Sequence, residues 1–322
     1  ADEIRAAGYS VVHYVVVNDA DVDQKLVEAF RRRGIGVWYE TFTNGVYRTA
    51  GLPDGWESWR MVLRSDLAAQ PYNDGFTRLC LNNPGYRAWK KAAMARVLRA
   101  HKFVGVDLAE PHWPEYPGTT SPVYACFCRS CREAFLKAYP EAPGLPDVLD
   151  PNSPRHPSRN PDLWNKWLRF RQASLTDFLN DLVNGPGGLR ETCPGRLVCT
   201  WTLALLGSDG LQSVRDIHGE DAAEVVQEVK PDVHCLQTHW PDWIRADLDG
   251  DYIRGYQPFL DAIRAVAPDL PVVFQADIGS QMQNRRSWEW IRLFENTCRR
   301  MGAQSAMSYE YFIGGYMYDD PP

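Results

Sequence analysis

The chain has 322 residues, of which 44% are hydrophobic and 24% charged, and its formal net charge is −6. This composition excludes a disordered or fibrous chain. The acidic balance disfavours a nucleic-acid partner, which would meet a basic face, and no apolar run approaches the ~20 residues that cross a bilayer. The 12 Trp are many for this length, and flat aromatic surfaces suit sugars or bases as well as a large core.

Strand-like and helix-like segments alternate along the chain. SVVHYVVV (10–17) reads as a strand, and DVDQKLVEAFRRRG (21–34) as a helix ending on a basic turn before Gly34. IGVWYETF (35–42) is the next strand, followed by a stretch (43–76) rich in Gly, Asn, Asp and aromatics with a short helix near 56–69. GYRAWKKAAMARVLRAH (85–101) has helical period and leads into the strand KFVGVDLAE (102–110). Residues 140–161 hold seven prolines and form an excursion over the surface. Further strands are expected at 197–203, 233–240, 271–279 and 303–312, with a helix over 286–302 closed by Gly302.

Near-continuous apolar strands separated by amphipathic helices predict a parallel sheet covered on both faces, and their number favours one (β/α)8 TIM barrel spanning 1–322 as a single domain with long βα loops. The count is seven, or eight if FTRLCLN (76–82) is a strand. The opening DEIRAAG reads as the end of a helix feeding a strand, so the preferred expectation places the first barrel strand upstream of Ala1 and leaves 76–82 as loop. Nothing at the start resembles a signal peptide, and with the thiol cluster this favours a cytoplasmic setting. A homo-oligomer stays open.

The strongest chemical signal is CFCRSC (126–131). Cys126, Cys128 and Cys131 can converge on one ion, and a structural Zn²⁺ wants four tetrahedral N or S ligands. Cys80, just before the 85–101 helix, is the expected fourth. The second signal is VGVDLAEPHW (104–113), where Asp107 and Glu110 end a buried strand and His112 and Trp113 follow. In a barrel such strand ends face the active site, making Glu110 a general acid/base and Asp107 its deeper support. Other strand ends add Glu40, Trp201, His239, Trp240, Gln275, Asp277, Tyr309 and Glu310. A ring of acids, Trp and His at one mouth is the composition of a carbohydrate site. Glycoside hydrolysis needs two carboxyl groups, about 5–5.5 Å apart for retention and about 6.5–9.5 Å for inversion. Asp277 is the preferred partner of Glu110, and Glu310 competes with it. His13, His101, His218 and His234 read as satisfied strand or helix residues rather than ligands.

CLNNPGYRAWKKAAMARVL (80–98), the strand ending in Glu110 and CFCRSCREAFLKAY (126–139) together resemble glycoside hydrolase family 42, the clan A β-galactosidases. MGAQSAMSYEYF (301–312) is similar to that family's last strand. The resemblance implies a (β/α)8 barrel, a carbohydrate substrate, Glu110 as acid/base, and zinc held by Cys80, Cys126, Cys128 and Cys131. Ala109 stands where the family has Asn before the acid/base, and the seventh strand offers Gln275 and Asp277 instead of a glutamate nucleophile. These departures predict a distant member with another substrate. The alternatives are a non-catalytic carbohydrate-binding barrel and a metal-dependent barrel lyase using His239, Glu110 and Asp107.

Overall fold

The computed structural model describes residues 1–16, 18–70, 72–114, 118–279 and 285–309. Glu310, the competing second carboxylate, lies outside the described residues. The strands are β1 (Val11–Val15), β2 (Gly36–Phe42), β3 (Gly45–Val46), β4 (Thr77–Arg78), β5 (Gly105–Ala109), β6 (Leu197–Ala204), β7 (Val233–Thr238), β8 (Val272–Asp277) and β9 (Ser305–Tyr309). All but β3 and β4 belong to the parallel pattern, with helices between successive members, so seven strands fit a partial TIM barrel. β3 and β4 form a short antiparallel ribbon, which settles 76–82 as part of a loop excursion.

The chain packs as two compact units, one of residues 1–198 with 215–220 and the other of 199–214 with 221 onward. In the first, β1, β2 and β5 pair in parallel, with Val15 opposite Glu40 and Glu40 opposite Asp107. Every residue of β5 is buried, as expected for a parallel strand covered on both faces. In the second, β6, β7, β8 and β9 pair in parallel, aligning Leu203, Gln237, Gln275 and Met307 in one row.

Local signals set the helix boundaries. Asn83 caps the helix Pro84–Ala100 by accepting from the Tyr86 amide, and Asn160 does the same for Pro161–Asn184 through Leu163. Both helices carry Pro in the first turn, where its missing N–H costs nothing. The expected helix near 56–69 divides into a 3-10 turn, Trp56–Trp59, and a single α turn, Arg64–Leu67. In the second unit the helix Gln257–Val266 buries Phe259, Leu260 and Ile263 in a core with Leu236, Phe274 and Phe294. Each such side chain contributes about 1.5–3 kcal/mol on leaving water. Trp290 joins this core by stacking on Phe294 at 5.8 Å and donating to the Leu248 carbonyl at 2.7 Å.

The first unit also holds a buried ion pair. Lys90 Nζ lies 2.6 Å from Asp19 and donates to the Thr41 hydroxyl and the Phe42 carbonyl at 2.7 and 2.8 Å. Tyr39 and Thr41 donate to the same Asp19 carboxylate. Burial pushes the Lys90 ammonium pKa below its usual value, and Asp19 opposes that shift. The cluster anchors the C-terminal end of β2 to the 84–100 helix.

Candidate active site and thiol cluster

The thiol cluster forms as the spacing predicts. Cys80 precedes the 84–100 helix, Cys128 is the N-cap of the helix Arg129–Ala138, and Cys131 lies in that helix's first turn. One sulfur from each of Cys80, Cys126, Cys128 and Cys131 lies within 4.8 Å of the others. Cys80 is 3.5 Å from Cys131 and 3.4 Å from Cys128. A tetrahedral zinc with Zn–S near 2.3 Å separates its sulfurs by about 3.8 Å, so the four thiols fit such an ion with small adjustments. Hydrogen bonds from the other three thiols pull the Cys128 pKa far below its normal range, while burial drives Cys126 and Cys131 up. Outer contacts orient the set: the Cys131 amide donates to Cys128 Sγ, and Asn82 bridges Cys131 and Ser174. Four thiolates leave no open position for water, so an ion here would be structural. These sulfurs could hold a metal ion.

Glu110 follows the last residue of β5 and is half-buried. Its φ is +50°, a left-handed conformation that L-residues with a long side chain rarely adopt. Neighbouring contacts impose it. The Thr43 amide and hydroxyl both donate to the Ala109 carbonyl, at 2.9 and 2.7 Å, fixing the backbone just before. Asn44 donates to the His112 carbonyl at 3.0 Å, and the Trp113 amide to the His218 carbonyl at 3.1 Å, fixing it just after. Strained backbone of this kind concentrates at functional positions.

Trp113 is fully buried: its indole N–H donates to the Arg171 carbonyl at 2.9 Å, and the Arg171 guanidinium lies 5.7 Å from its ring. Gly219, at φ +68°, allows the close approach, since a Cβ there would overlap Trp113 Cδ1. Trp113 therefore packs against Arg171 and Gly219 rather than offering an open face. His112 sits at the rim, its Nδ1 3.8 Å from the Glu220 carboxylate and its ring 5.5 Å from His218. Burial, and then the Arg171 charge, lower the His218 pKa to about 3, so it is neutral. Glu220 is 1% exposed. Its only sequence signal was an acid before a helix N-cap, so sequence reasoning passed over it.

Glu40 and Asp107 face each other across β2 and β5, and His13 donates or accepts at 2.6 Å with Asp107. His13, expected to be a satisfied strand residue, finds its partner in a carboxylate 94 positions away. Asp107 is 0% exposed, and its other oxygen has no hydrogen-bond partner among the described residues.

In the second unit, Asp277 ends β8, is 4% exposed, and accepts from the Gly279 amide at 2.7 Å. Gln275, two residues earlier and therefore on the same face, is fully buried, and among the described residues neither its amide atoms nor the Trp201 indole N–H has a hydrogen-bond partner. Burying such groups without partners costs about 1–3 kcal/mol each, a cost that a polar ligand or ordered water offsets. His239 is buried and begins a short helix, Trp240–Trp243, on which Trp240 is exposed. Tyr309 lies opposite Asp277 on β9 and packs against Trp243 at 5.8 Å. His234 lies between the Thr200 and Thr202 hydroxyls, at 2.9 and 3.0 Å, and burial lowers its pKa to about 3.

No protein-family model and no curated protein matches the sequence. Solved structures do resemble the fold. The glycoside hydrolase domain of PgaB (BpsB) from Bordetella bronchiseptica is 14% identical over 94% of this chain and 84% of its own, with a TM-score of 0.64. A β-galactosidase from Bacillus circulans sp. alkalophilus gives 17% identity over 96% of this chain and 47% of its own, with a TM-score of 0.64. Gan42B, a GH42 β-galactosidase from G. stearothermophilus, gives 16% over 93% and 46%, with a TM-score of 0.62. The chain thus spans about half the length of these β-galactosidases and shares a fold with glycoside hydrolases of more than one kind. At these identities the likeness speaks to the fold and leaves family 42 membership unassigned.

Proposed function

We infer that the protein is a glycoside hydrolase cleaving an O-glycosidic bond, with Glu110 as general acid/base. The observation that carries this reading is the constrained left-handed backbone at Glu110, directly after a fully buried parallel strand. The surrounding hydrogen bonds hold a strain of about 1–2 kcal/mol at a long acidic side chain, and positioning a proton donor is a use for that strain. The shared fold adds support, because strand C-termini carry the chemistry in such barrels.

In this reading Glu110 protonates the departing oxygen, then deprotonates the incoming water or acceptor. Asp277 supplies the second carboxylate, as nucleophile in a retaining double displacement. Its bond from the Gly279 amide keeps one oxygen oriented. Gln275, with unpartnered donor and acceptor, is suited to sugar hydroxyls. His239, Tyr309 and exposed Trp240, in the same unit, are the further candidates for sugar contact. Zinc on the four Cys would act only on the fold.

The test is turnover of a panel of nitrophenyl glycosides and natural oligosaccharides by the wild-type chain, Glu110→Gln and Asp277→Asn. Hydrolysis by the wild type, lost in both variants with folding intact, supports the reading. Binding of sugars without any turnover across the panel would mean a carbohydrate-binding barrel instead.

A further inference from the structure

A second cation site, separate from the thiols, is built across β1, β2 and β5. His13, Glu40 and Asp107 each place one donor atom within 4.8 Å of the other two. The register explains the convergence: Val15, Glu40 and Asp107 are aligned across the three strands, and His13 lies two residues before Val15 on the same face. His13 is held flat against Trp38, with ring centroids 5.6 Å apart and planes within 3°.

Two buried carboxylates meet at this cluster. Glu40 is 7% exposed and Asp107 0%, and two carboxylates so close in a dry setting repel unless something neutralises them. Asp107 also keeps one oxygen unpartnered among the described residues at full burial, although its other oxygen is bonded to His13 at 2.6 Å. The His13 side chain, 18% exposed, gives the cluster an edge through which an ion can enter.

We propose that His13, Glu40 and Asp107 form a binding site for one divalent metal ion of the manganese–zinc class. One imidazole and two carboxylates make a mixed N/O donor set, which selects borderline to hard ions, whereas the thiol cluster selects soft ones. Three protein donors leave coordination positions for water or for substrate hydroxyls. The proposal stands independently of the glycosidase reading, since it rests on the donors alone.

Mn²⁺ is the discriminating probe, because four thiolates hold it poorly. The full chain loaded with one equivalent of zinc for the thiol cluster and freed of excess is titrated with Mn²⁺, free ion being followed by its EPR signal. The expected result is one Mn²⁺ bound per chain at micromolar concentration, weakened at least tenfold in Asp107→Asn and in His13→Gln. Circular dichroism confirms folding, and His13→Gln, at a partly exposed position, decides the matter if Asp107→Asn does not fold. No saturable Mn²⁺ binding below millimolar concentration overturns the proposal. So does equal affinity in His13→Gln and wild type.

Discussion

Replacing Glu110 separates its chemistry from its backbone strain. Glu110→Gln keeps the Cβ and the shape, so the left-handed conformation at φ +50° and its cost persist, and stability should shift by less than about 0.5 kcal/mol. The proton is gone, however, and loss of a general acid/base lowers turnover about 10²–10⁴-fold, which is about 2.7–5.4 kcal/mol of transition-state stabilisation. Glu110→Gly removes the same proton and also relieves the backbone. The relief is about 1–2 kcal/mol, offset by about 0.4–1 kcal/mol of added freedom in the unfolded chain. The net is neutral to about 1.5 kcal/mol stabilising, whereas a glycine placed in ordinary strand backbone would destabilise. The assay pairs urea unfolding with rates on nitrophenyl glycosides of graded leaving-group acidity. The Glu110→Gln defect should shrink as the phenol becomes more acidic, because a good leaving group needs no protonation. Wild-type rates in Glu110→Gln, or a loss of more than about 1 kcal/mol in Glu110→Gly, would refute the argument.

Three further outcomes follow from the same structure. Stripping metal with a strong chelator should lower the melting temperature of the wild type sharply, since structural zinc sites are worth about 10–16 kcal/mol of binding, and Cys128→Ser should melt low with or without chelator; an unchanged melt on chelation would count against a bound ion. Lys90→Met should cost about 3–5 kcal/mol by stranding the buried Asp19 carboxylate, and adding Asp19→Asn should recover most of it; urea midpoints of the single and double variants measure this, and a single-variant cost below about 1 kcal/mol would show the pair to be solvated. Acid should destabilise through His218 and His234, both lowered to about 3 when folded against the ordinary 6.5. The unfolded chain takes up these protons first, so this stability is complete above pH ~6.5 and falls as pH drops towards 3, by about 2 kcal/mol per histidine at pH 5. Unfolding free energies of wild type and His234→Gln at pH 7 and pH 5 should converge as pH falls, and parallel losses would place the titration elsewhere.

Much of this protein was legible in one dimension. The alternation of apolar strands and amphipathic helices is a local periodicity, so it fixed the α/β class, the parallel strands and most element positions without reference to distant residues. The C-x-C-x-x-C cluster was equally local, because three thiols within six residues have few ways to avoid one another. Glu110 was visible as an acid at the end of an apolar run. What the line of residues left open was every property that depends on partners far along the chain. Trp113 looked like a sugar platform until Arg171 and Gly219 enclosed it. His13 looked inert until strand register set it beside Asp107 and Glu40. Glu220 carried no signal before the 215–220 segment brought it to His112. Burial and charge pairing are sums over neighbours in space, and only the tertiary structure, by choosing which strands lie side by side and in what register, decides who those neighbours are.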